Sequence, residues 1–269
     1  MRIPNTNPPL YKHSSPRMAK LVRMHHANLQ LKGTRDKLPK ACKAQINCAL
    51  EYIPEAQTLD KPENSPMQWL VKETQVEKAL KISRNGSATG MDRCPFELWK
   101  ALHTCHLDRT KANLSSFDIV NTLTMIFQDI QTNRVQQQAN FTNGWICPIY
   151  KKKDLADIGN YQPIMLLNTD YKLLTKVLAL QLLDDISDLV HTNQTGFIPG
   201  RSIFNNIRLA SCIINYAELT KSNRVIVALD QEKAYDKIKH NYLWKTLEQF
   251  HIPETFICMA KALYAQAYT

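Results

Sequence analysis

The five residues Val225, Ile226, Val227, Ala228 and Leu229 include no polar position, and Asp230 follows directly. A strand with one wet face alternates apolar and polar side chains. An unbroken apolar run needs cover on both faces, so this one predicts a strand in the middle of a sheet. A carboxylate at the end of such a strand is costly unless it is hydrogen-bonded, paired or bound to a metal. Strand ends of this kind are also where sheets hold their chemistry. Asp230 is therefore the sharpest single candidate in the chain, with capping of a following helix through Lys239 as the alternative. Asp236, past Tyr235, reads as a local hydrogen-bonding or capping residue.

Most of the remaining pattern is helical. Met18, Leu21, Val22 and Leu29 predict a helix between Pro16 and Leu31. Trp69, Val76, Ala79 and Leu80 predict another over 69–82, stopped by Arg84-Asn85-Gly86-Ser87. Pro95 opens a short helix through Leu102, and Phe117, Val120, Leu123, Phe127 and Ile130 mark one buried helical face. Trp145 to Tyr150 reads as a strand entering a basic turn at Lys151-Lys152-Lys153-Asp154, with Tyr161 to Leu167 returning. A long helix over 169–189 follows, with Tyr171, Leu174, Leu178, Leu182 and Ile186 on one face and Asp170 at its positive end. Gly196, Pro199 and Gly200 break the chain, Ser202 caps a helix through Leu219, and Pro253 opens a last one.

The chain of 269 residues, 44% hydrophobic and 22% charged, is long enough for a core and too apolar to stay disordered. Its net charge of +10 favours a polyanionic partner. Residues 1–65 read as a proline-dotted lead-in whose basic stretch, Lys12 to Lys43, holds the single acid Asp36; it is either a solvated arm or a nucleic-acid contact. Seven cysteines without a CxxC pair indicate neither a disulfide framework nor a zinc ribbon, and reduced thiols fit an intracellular chain, nuclear or cytoplasmic. No apolar run approaches the roughly 18 residues of a membrane-spanning helix, so no membrane partner is expected. Gly86 to Gly90 lacks the Lys and Ser/Thr of a P-loop, and Cys94, His103, Cys105 and His106 have no zinc-finger spacing.

Several stretches taken together resemble the reverse transcriptase of LINE-type, non-LTR retrotransposons. Trp145 to Asp154, Asn160-Tyr161-Gln162-Pro163-Ile164 and Leu167-Asn168-Thr169-Asp170-Tyr171-Lys172 are similar to that family's fingers hairpin and the helix after it. Gln194-Thr195-Gly196-Phe197-Ile198-Pro199-Gly200-Arg201-Ser202 resembles the block that lies along the template. Asp230-Gln231-Glu232-Lys233-Ala234-Tyr235-Asp236 resembles the block that opens the palm. Upstream, Asn85 to Asp92 and Glu97-Leu98-Trp99-Lys100 are similar to the start of the polymerase.

The resemblance implies an α+β fold, mostly helical: a truncated right-hand polymerase with fingers and the first palm strand over 66–269. It implies an RNA-directed DNA polymerase working on an RNA template, a DNA primer and deoxynucleoside triphosphates. It makes Asp230 the catalytic ligand of Mg2+, one of two ions roughly 4 Å apart, and gives Lys151, Lys152, Lys153, Gln231 and Tyr235 to the nucleotide, with Tyr235 selecting against the ribose 2′-hydroxyl. Gln194, Gly196 and Arg201 fall to the template. Two positions depart from the family: Gln162 stands where an arginine usually clamps triphosphate, and Arg93 where a glycine usually follows the aspartate. Nothing after Asp236 resembles the Ala-Asp-Asp block that completes the metal site. The expectation is a fragment inactive by itself; the rival reading is a non-catalytic RNA-binding module derived from a retroelement.

Overall fold

The computed structural model describes residues 1, 14–34, 40–136, 140–223, 225–231, 234–235 and 238–265. Lys12, Arg35, Asp36 and Lys37 of the basic stretch and Glu232, Lys233 and Asp236 of the 230–236 block lie outside them. Among the described residues the helices are α1 (Ser15–Thr34), α2 (Lys40–Glu51), α3 (Glu73–Ile82), α4 (Phe96–Lys111), α5 (Ile119–Asn133), α6 (Thr169–Leu189), α7 (Ile203–Leu219), α8 (His240–Gln249) and α9 (Glu254–Ala265). One antiparallel hairpin, β1 (Gly144–Tyr150) with β2 (Tyr161–Leu167), runs in register from Gly144 opposite Leu167 to Tyr150 opposite Tyr161. The class is α+β and mostly helical, as expected.

The core forms where α3, α5, α6 and α9 meet. Val76, Leu80, Phe127, Leu173, Leu174, Val177 and Met259 are all fully or almost fully buried there. Two polar groups inside are partnered: the Gln181 amide donates to Gln75 Oε1 at 3.1 Å, and the Thr169 hydroxyl accepts from Trp99 Nε1 and donates to the Cys94 carbonyl, each at 2.8 Å. Thr255 of α9 donates to the Met67 carbonyl, joining the last helix to the segment before α3. Helix α2, which the sequence does not announce, buries Ile46 and Leu50 and meets α8 where Lys245 Nζ donates to Asn47 Oδ1.

Several expected elements shift, each for a local reason. Helix α3 starts at Glu73, not Trp69. Gln128 donates to the Val71 carbonyl, Gln131 accepts from the Val71 N–H, and the pair keeps the strand-like approach extended, leaving Trp69 57% exposed. Helix α5 starts at Ile119 because the Asp118 carboxylate caps it through the Asn121 N–H, so Phe117 falls outside the buried stripe. Helix α4 runs past Leu102 to Lys111, and its extension is pinned by His103 against Glu77 at 3.5 Å and by His106 against Asp118 at 3.3 Å.

The largest correction concerns the apolar run. Residues 225–230 form no strand, and Val225, Val227 and Leu229 are 86%, 71% and 91% exposed. A strand exists only against a neighbour that completes its ladder. The sheet found among the described residues is the two-stranded β1–β2 hairpin, and the run pairs with neither of its strands. Nor does Asp230 cap a helix through Lys239: α8 begins at His240, with Lys239 itself at the N-cap.

Candidate nucleic-acid interface

The hairpin places Lys151, Lys152 and Lys153 at its turn, all exposed. The turn is held by bonds that leave their ammonium groups to solvent. The Lys151 N–H donates to the Asn160 carbonyl, the Tyr150 hydroxyl to the Lys153 carbonyl and the Tyr161 hydroxyl to the Leu155 carbonyl. Tyr150 and Tyr161 meet edge to face at 5.6 Å. Asp154 and Asp157 fold the return by accepting from the Ala156 and Gly159 N–H groups, and Ile158 is buried beneath. The two acids of the turn thus serve its backbone, and no carboxylate of a described residue pairs with the three lysines. Gln162 lies exposed on β2 opposite Ile149.

The base of the hairpin is clamped by the 83–94 segment. A β-carbon at Gly90 would overlap Asn168 and the carbonyl carbon of Leu167, so the chain passes there only as glycine. Lys172 Nζ donates to the Ala88 carbonyl, Lys176 Nζ to the Ser83 hydroxyl, and Lys100 Nζ to the Ser83 carbonyl and Asn85. Burial lowers the affinity of Lys172 and Lys176 for their protons, with the Lys100 charge adding to the effect at Lys176. Burial raises the Asp170 carboxyl above its ordinary value, against the pull of the Tyr171 N–H, while the Asp92 charge raises it further. Gly86 donates its N–H to Glu97, which holds that carboxyl below the usual range. Arg93, in the position where glycine is usual, has φ of +57° and so carries the strain that glycine would avoid. The three lysines are a positioning set that motif reading missed, because each acts on a carbonyl or hydroxyl far away in sequence.

At the far end of α6, about 30 Å away for a helix of this length, the 190–202 loop is built around Arg201. Its Nη1 donates to the His191 and Gln194 carbonyls and its Nη2 to the Ser187 and Val190 carbonyls, at 2.7 to 3.1 Å. These include the carbonyls orphaned where α6 ends, so the guanidinium closes that helix. Gln194 Nε2 donates to the Gly196 carbonyl, and Asn206 Nδ2 to the Asn193 carbonyl and Thr195 hydroxyl. Gly200 supplies a φ of +74°, and Ser202 caps α7 through the Phe204 N–H.

Asp230, Gln231 and Tyr235 stand in the exposed segment after α7, with Tyr235 81% exposed. The sequence groups these residues with the lysines and the 194–201 loop, but no hydrogen bond or ion pair among the described residues brings the three sets together. Among the described residues, no three of His, Cys, Asp and Glu converge as metal ligands. Magnesium needs a shell of oxygen ligands, which the described residues do not gather around Asp230.

Residues 149–268 match the family of reverse transcriptase (RNA-dependent DNA polymerase). That stretch is similar to reverse transcriptases. Over 117 residues the chain is 38% identical to the "Transposon TX1 uncharacterized 149 kDa protein" of Xenopus laevis, covering 44% of this chain and 9% of that protein. The chain therefore corresponds to a small part of that relative. The reverse transcriptase match begins within β1 and takes in all of the hairpin turn, α6, the Arg201 loop, α7 and Asp230, while the clamp at 83–94 lies ahead of it. No helix among the described residues is long and apolar enough to cross a membrane.

Proposed function

We propose that this chain is the fingers and early palm of a non-LTR retrotransposon reverse transcriptase, with a lead-in over 1–65 and the polymerase portion over 66–269. It binds an RNA template with its primer and does not polymerise by itself. The family match over 149–268 carries the reading, and a transposon protein as relative supports its retroelement origin. Lys151 to Lys153 act as point charges for phosphate oxygens. Gln194 and Gly196 face the template, in a loop that Arg201 holds. In the assembled enzyme Asp230 contributes to the magnesium site, with Gln231 and Tyr235 beside the nucleotide. Inactivity of the isolated chain is supported by the exposure of Asp230 and by the lack, among the described residues, of any three His, Cys, Asp or Glu that converge as metal ligands.

Binding of a labelled single-stranded RNA and of a primer–template, followed by anisotropy across a salt series, tests the first half. Affinity should fall steeply with salt, by about 0.7 in log–log slope for each phosphate neutralised on a single strand. Replacing Lys151, Lys152 and Lys153 by alanine should flatten the slope by up to about 2. Affinity that ignores salt would overturn the electrostatic reading. Primer extension with magnesium and all four deoxynucleotides should give no product; extension lost in Asp230→Ala would overturn the inactivity. The exposure of Asp230 also favours the second reading, a non-catalytic RNA-binding module. Fusion to the palm and thumb of an intact relative separates the two, since only the first predicts extension there, weakened by Gln162.

A further inference from the structure

Phe197 carries two penalties at once. Its ring is 90% exposed, and its backbone has φ of +64°, a left-handed conformation that a bulky L-residue rarely adopts. Either feature alone is common at a loose loop tip. This tip is not loose: the carbonyl of the preceding Gly196 accepts from Gln194, the carbonyl of Ile198 accepts from the Arg201 N–H, and the Arg201 guanidinium pins Gln194 and His191 to the end of α6. Asn206 fixes Asn193 and Thr195 from the side of α7. Strained residues persist where surrounding structure over-determines them, and they cluster at ligand contacts. The loop thus holds one aromatic ring out to solvent in a set orientation.

Charge points to the class of ligand. Between Asp188 and Glu218 the chain has no acidic residue, while Arg201 and Arg208 lie within that span. A flat exposed ring in a stretch of chain without acidic residues suits unpaired bases, whose faces stack on aromatic side chains without sequence preference while the backbone is attracted to positive charge.

The geometry points to Phe197 as a stacking platform for an unpaired base of single-stranded RNA. This rests on the proposed RNA binding and adds to it a neutral contact, distinct from the lysines. The ring packs on a base as the strand passes the end of α6, and the left-handed backbone at Phe197 directs it outward.

Anisotropy with a labelled single-stranded RNA and the full chain tests this. Phe197→Ala should weaken binding about 5- to 100-fold, the range for loss of one base–aromatic stack, with the log–log salt slope unchanged because no charge is removed. Phe197→Trp should retain affinity. Phe197→Gly should melt at a higher temperature than the unaltered protein, since glycine accepts the positive φ, and still bind weakly. Leu219→Ala, which removes an equally exposed apolar group lacking a π face, should leave binding unchanged. Phe197→Ala binding within twofold of the unaltered chain overturns the proposal and leaves the electrostatic reading standing. Equal losses in Phe197→Ala and Leu219→Ala overturn it in favour of a protein-covered apolar surface. No binding by the unaltered chain overturns both readings.

Discussion

Helices α6 and α7 are consecutive, yet the more apolar of the two is the bare one. Helix α6 has six charged residues in its 21 and buries Leu173, Leu174, Val177, Leu178 and Leu189. Helix α7 has two charged residues, Arg208 and Glu218, in its 17 and buries none. Ile203, Phe204, Ile207, Leu209, Ile213, Ile214, Tyr216 and Leu219 are all exposed. Apolar composition therefore does not create a core. Helix α6 is buried because α3 and the turn at Pro66–Gln68 pack against it, while α7 is followed by a segment, Val225 to Leu229, that is itself uncovered. A helix with a broad apolar face open to water is a surface for association.

The contrast makes its largest demand on stability. Leu174→Ala, at a fully buried site, should cost about 3 kcal/mol in urea or thermal unfolding. Ile213→Ala should stay within about 0.5 kcal/mol. Comparable losses at the two sites would mean that α7 is covered in solution and would break the comparison. The junction between the helices comes next. Arg201→Met strips four carbonyls of their donors and should destabilise by about 2 kcal/mol, measured by the same unfolding curves. Arg201→Lys should recover little of this, because an ammonium does not span a fan of four carbonyls. Full stability of Arg201→Met would show that α6 ends without the guanidinium.

The smallest effect concerns how α6 begins. Burial raises the Asp170 pKa in the fold, so the native state holds this proton more tightly than the unfolded chain does. Stability from this group is present below its unfolded pKa and is lost as pH rises through the folded value. Asp170→Asn should therefore stabilise the protein at neutral pH by no more than about 1 kcal/mol. The gain should vanish in acid, where Asp170 is already protonated. A gain that persists at low pH, in thermal melts across the series, would remove burial of the charge as its cause.

Features that act within a few residues could be read without coordinates. The range of β2, Tyr161–Leu167, and that of α6, Thr169–Leu189, follow from period and turn residues alone. Ser202 announces α7 for the same reason. The candidate site was legible as motifs, since Lys151 to Lys153 need only a polar turn to be exposed. What could not be read depends on partners distant in the chain. Trp69 and Phe117 fit a helical stripe, but Gln128, Gln131 and Asp118 set where the helices start. Arg201 has the charge of a nucleic-acid contact, and its direction was decided by carbonyls that the end of α6 leaves open. The run from Val225 to Leu229 has the pattern of a central strand, and a pattern states only which faces seek cover. Whether cover exists depends on a neighbouring ladder and on packed helices, which are properties of the whole fold and not of the five residues that need them.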